Sequence, residues 1–145
     1  MIAVAAALVI AIAVAVIVFS MPTQRNSNIP NVKFTTFAPD RTDIKIGEST
    51  KILFNVQNLE SRPITDAQVI IVIEPSGYQP YLTIRNQTTD LPNMHGKDAR
   101  TGEMQVVINA AGSPAKEAVY TVKGVLFVEG KQSDVKQFEL RIRQT

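Results

Sequence analysis

The longest apolar run constrains the rest of the chain more than any other feature. From Ile2 to Phe19 the sequence reads IAVAAALVIAIAVAVIVF, with no charge, no hydrogen-bonding side chain, no Gly and no Pro. At ~1.5 Å of helical rise per residue this run reaches about 27 Å. The hydrocarbon core of a bilayer is ~30 Å thick, so the run predicts a membrane-spanning helix over residues 1–21. Ala3, Ala7, Ala11 and Ala15 recur at every fourth position and draw a strip of small side chains along one side. Such a strip lets a second helix approach closely, which favours helix packing in lipid. The competing explanation of the strip is composition, because Ala is common throughout the segment.

A cleaved signal peptide is the rival reading of the same run. Val18 and Ser20 would fit the small-residue positions before a cut after Ser20. Against this, no basic stretch precedes the run, and it exceeds the ~7–15 residues of a signal-peptide core. The expectation is therefore an uncleaved single-pass anchor in the cell membrane. The nearest basic residue is Arg25, and a literal positive-inside rule would place the C-terminal domain in the cytoplasm. One residue is a thin bias, and the fold type and a glycosylation sequon at Asn86 favour an extracytoplasmic domain instead.

Residues 22–31 read as a linker, since Pro22 and Pro30 stop a helix and the intervening Ser, Thr, Asn and Gln keep the backbone solvated. Beyond it the apolar period changes to two. Val32 and Phe34 alternate with polar residues, then Ile44 with Ile46, then Ile52, Phe54 and Val56. Ala67–Glu74 carries apolar residues on both faces: Ala67, Val69, Ile71 and Ile73 on one, Ile70 and Val72 on the other. A short strand at Tyr81–Arg85 comes after Pro80, which suggests an edge. Met104–Ala110, Ala118–Val128 and Val135–Arg143 complete the set, while residues 86–103 read as one long polar loop. The expected fold is all-β: an Ig-like antiparallel β-sandwich of 7–8 strands over residues 32–145, preceded by one transmembrane α-helix.

Two stretches, IKIGESTKILFNVQN at 44–58 and VYTVKGVLFVEGKQSDVKQFELRI at 119–142, resemble Ig-like domains of the CARDB type, found in bacteria and in archaeal surface proteins. An apolar N-terminal helix carrying such a domain also looks like archaellum stator proteins and archaeal pilins, although no basic pre-peptide precedes this helix. The resemblance implies binding or assembly rather than catalysis.

The residues themselves point the same way. There is no Cys, which removes disulfides, thiolate zinc sites and a cysteine nucleophile, and there is one His. The net charge is only +2, with acids and bases interspersed, so no row of phosphates is matched and nucleic acid is not an expected partner. His95 lies in the polar loop, and no G-x-S-x-G elbow exists to give it a nucleophile. No catalytic residue, cofactor or small-molecule substrate is implied. Met94 and His95 together suit copper, and Asp90, Asp98 and Glu103 offer nearby oxygens, but the spacing matches no established metal loop. A copper carrier built on residues 86–103 is kept as an alternative. Asn86-Gln87-Thr88 is an N-x-T sequon and makes Asn86 a candidate glycan acceptor.

If Ala67–Glu74 pairs with Ala118–Val128, then Ile70, Val72, Val125 and Phe127 gather on the outside of one sheet as a candidate protein interface. The expected function is thus a non-enzymatic accessory, anchoring or assembly subunit of a membrane or envelope complex. Its partners would be membrane lipid and other membrane or envelope proteins. A surface-filament component, archaellum stator or pilin-like, is the other alternative.

Overall fold

A computed structural model describes residues 29–75, 81–110 and 118–143. The expected transmembrane helix at 1–21, with its Ala3, Ala7, Ala11 and Ala15 strip, lies outside the described residues, as does the linker up to residue 28. Among the described residues no helix is long and apolar enough to cross a membrane.

The strands track the alternation in the sequence. They are β1 (Val32–Pro39), β2 (Asp43–Lys45), β3 (Ser49–Asn58), β4 (Ala67–Glu74), β5 (Leu82–Arg85), β6 (Thr88–Asp90), β7 (Ala99–Arg100), β8 (Met104–Ala110), β9 (Ala118–Val128) and β10 (Lys131–Arg143). Sheet A runs β1-β3-β8-β5, with β7 also paired to β3, and sheet B runs β2-β10-β9-β4-β6. Each strand of a period-two sequence sends alternate side chains to one face, and here those faces meet as a sandwich core. Ile52, Phe54 and Val56 of β3, Val69, Ile71 and Ile73 of β4, and Leu140 and Ile142 of β10 are buried in one cluster.

Three features depart from the expected arrangement. The strand set is larger than seven or eight among the described residues, because β6 and β7 arise inside the stretch expected to be a loop. One pairing is parallel rather than antiparallel, that of β2 with β10. The last strand starts at Lys131, not Val135. Glu129 and Gly130 both take positive φ, 52° and 75°, which closes a tight hairpin. A register shift between Gln132 and Asp134 then absorbs the extra residue.

The seam between the sheets is closed by β1. The Ser133 hydroxyl of β10 donates to the Pro30 and Val32 carbonyls, and the Phe34 N–H donates to Asp134 Oδ2 at 3.0 Å. Phe37 bridges inside that seam, with ring centroids 5.3 Å from Phe34 and 6.0 Å from Phe138. It lies over Gly124, where a Cβ would collide with its ring.

Candidate interaction surfaces

Strand register defines the outer face of sheet B. Antiparallel pairing sets Ile70 opposite Val125, and Val125 opposite Val135. The next rows set Gln68 opposite Phe127 opposite Gln132, and Val72 opposite Lys123 opposite Gln137. Residues directly opposite across a ladder share a face, so Ile70, Val72, Val125, Phe127 and Val135 form one apolar band on the side away from the core. Ile70, Val72 and Val135 are half-buried. Val125 and Phe127 are buried, at 1% and 8% exposure, and to that extent the expectation of an open patch is corrected. Their strand is central: Val125 sits between Ile70 and Val135, and Phe127 between two glutamines. Beside Phe127, the Gln132 Oε1 is also buried, with no hydrogen-bond partner among the described residues. A Lys123–Glu74 ion pair at 3.0 Å borders the band on the Val72 side.

The stretch expected to be a polar loop is largely fastened down. Leu91 and Met94 are buried in the core cluster, and Ile64 and Met94 exchange backbone hydrogen bonds of 2.8 and 2.9 Å. Thr101 is buried, and its hydroxyl accepts the Val56 N–H at 2.9 Å. Asn58 holds the rest. Its Nδ2 donates to the Arg62 and His95 carbonyls, both at 2.9 Å, and its Oδ1 accepts the Glu60 N–H at 2.9 Å. No periodicity announces Leu91, Met94 and Thr101, because each is a single inward residue whose partner is distant in sequence.

This arrangement separates the candidate copper ligands. Met94 is 3% exposed and belongs to the core, whereas its neighbour His95 lies on the surface. Asp90, Asp98 and Glu103 are exposed, and Asp98 Oδ1 accepts from Gln57 Nε2 at 3.3 Å. Among the described residues no three His, Cys, Asp or Glu side chains gather as a metal would require.

Two carboxylates are electrostatically distinguished. Asp40 lies below its ordinary value, chiefly because it accepts the Lys51 N–H at 2.8 Å, with the Thr50 hydroxyl adding a second bond at 2.8 Å. Glu129 is lowered by its two-pronged pairing with Arg62, at 2.6 and 2.9 Å. Asp40 fastens the connection after β1 to β3, and Glu129 fastens the β9–β10 turn to Arg62. Asn86 sits on the exposed turn between β5 and β6 with φ 60°.

No family model matches the chain, and no curated protein matches it. Solved structures do. Over 79% of this chain, the CARDB domain of a Pyrococcus furiosus protein, solved with two metal ions, aligns with a TM-score of 0.52 and 13% identity, covering 90% of that domain. The Pseudomonas fluorescens alkylpurine DNA glycosylase AlkC aligns over 79% with a TM-score of 0.53 and 14% identity, and E. coli alpha-2-macroglobulin over 79% with 0.51 and 12%. The chain spans 31% of the glycosylase and 7% of the macroglobulin. At such identities the likeness is one of fold: this is an Ig-like β-sandwich of the kind seen in CARDB domains. The same sandwich serves in a DNA-repair enzyme and a macroglobulin, so the fold by itself selects no activity.

Proposed function

We propose that the chain is a non-enzymatic single-pass membrane protein. Its sandwich stands on the extracytoplasmic side and docks another membrane or envelope protein, as an accessory or assembly subunit. The observation that carries this reading is the half-buried apolar set Ile70, Val72 and Val135 beside buried Val125 and Phe127 on the non-core face of sheet B. A face with that composition favours cover by protein over contact with water. The Ile2–Phe19 run supplies the anchor, and Ala3, Ala7, Ala11 and Ala15 supply the surface within the bilayer.

The test is purification of the full chain in mild detergent, with mass identification of what accompanies it. A stoichiometric membrane or envelope protein, lost on Ile70→Lys with Val72→Lys, supports the reading. A chain that purifies alone from its own membranes, or one found without residues 1–20, overturns it. A surface-filament subunit is the narrower form of the same reading, supported by the resemblance of helix plus domain to stator and pilin-like proteins, and the identified partner would reveal it. The copper alternative loses its thioether ligand, because Met94 is part of the core.

A further inference from the structure

The turn at Asn86 carries chemistry that the apolar band leaves unused. It links β5, the edge of sheet A, to β6, the edge of sheet B. Among the described residues β5 pairs only with β8, and β6 only with β4. Among the described residues the turn therefore stands between two strands that each pair on one side. Asn86 takes the left-handed conformation, φ 60°, which Asn tolerates better than most residues. The next residue is tied down: Ile71 N–H donates to the Gln87 carbonyl at 2.8 Å, and Gln87 Nε2 donates to the Ile71 carbonyl at 3.1 Å. The Thr89 hydroxyl closes the turn onto the Asn86 carbonyl at 3.1 Å. Asn86 and Thr88, the two residues a sequon needs, are both exposed.

We propose that Asn86 is an N-glycan acceptor. A fastened, exposed turn presents the carboxamide to a large transferase without any unfolding of the sandwich. The donor is a lipid-phosphate-linked sugar. Nδ2 forms a bond to the anomeric carbon, the carbon–oxygen bond to phosphate breaks, the lipid phosphate departs, and Nδ2 loses one proton. Gln87 lies beside Ile71 at the border of sheet B, so a glycan at Asn86 stands at the β6 side of the apolar band. A docking partner is then directed toward the β10 side.

The inference rests on the extracytoplasmic placement proposed above. The test is peptide mass analysis of the full chain isolated from the membranes of its own cells. Wild type and Thr88→Ser, which keeps the sequon, should carry added sugar mass on the Asn86 peptide. Thr88→Val, which keeps a β-branched strand residue, and Asn86→Asp, which suits the left-handed turn, should lack it. An unmodified wild-type peptide, or added mass that persists in Thr88→Val, overturns the proposal. Protease treatment of intact cells separates the two layers. A domain digested from outside but unmodified sinks the glycan and leaves the placement standing. A domain digested only after permeabilisation sinks the placement and the glycan with it.

Discussion

Asn58 shows how much of this fold depends on single polar side chains. It is fully buried, and it ties the end of β3 to two segments remote from each other in sequence, at Glu60–Arg62 and at His95. Asn58→Ala would leave two part-buried carbonyls and a part-buried N–H without their partner, at roughly 1–3 kcal/mol for each group that water does not reach. We expect a net loss of about 3 kcal/mol, seen as a fall of more than roughly 10 °C in Tm. Asn58→Asp keeps the acceptor for Glu60 but loses both donors, so it should be no better than Ala; recovery with Asp would mean the Glu60 contact dominates. Asp40 makes a pH-dependent counterpart. Its folded pKa is depressed, so its contribution is present above the unfolded value near 3.8 and is lost as pH falls through the folded pKa. Asp40→Asn should therefore lower Tm at neutral pH, and the gap from wild type should close as pH is taken from neutral to well below the unfolded value near 3.8. A constant gap in thermal melts across that range would mean the carboxylate charge is irrelevant.

At the scale of elements, the strands that alternate cleanly were legible and the anchored turns were not. β3 and β4 have a strict period of two, and their inward residues are those buried in the core. The pairing of β4 with β9 is equally regular, which is why Ile70 faces Val125. Period reports the face but not the depth, so the burial of Val125 and Phe127 on the central strand was hidden. Residues 86–103 look polar because Leu91, Met94 and Thr101 point inward singly among polar residues, and find partners far along the chain. Gly124 is a similar case, a gap in the β9 alternation that makes sense only once β1 lays Phe37 over it. Gly124→Ala should overpack that site by about 1–3 kcal/mol. Combined with Phe37→Leu, it should cost less than the sum of the two single variants. Additive losses in a double-mutant cycle of denaturation midpoints would remove Phe37 as the reason for the glycine.

At the scale of the molecule, the two proposed docking surfaces are carried by one chain. The described chain enters at Ile29–Pro30, where the Pro30 carbonyl accepts from Ser133. Ser133 adjoins Gln132, which lies opposite Phe127 in the band. The apolar N-terminal run thus precedes, in sequence, a point where the entry to β1 is fastened to β10. One partner with a helix in the bilayer and a surface outside it can engage both, which makes their contributions separable by mutation. Ala7→Leu with Ala11→Leu fills the small-residue strip without touching the sandwich. Ile70→Lys with Val72→Lys places charge on half-buried positions of the band and leaves its buried centre intact. Each pair should weaken co-purification, by about 2 kcal/mol or roughly thirty-fold in affinity, and the four changes together should abolish it. Melting of the sandwich should shift by only a few degrees in any of them. If the helix pair changes nothing while the band pair does, the first segment is a plain tether, and the alanine spacing reflects composition. If both pairs leave the partner bound, the interface lies elsewhere on the sandwich and the band is an outer satellite of its core.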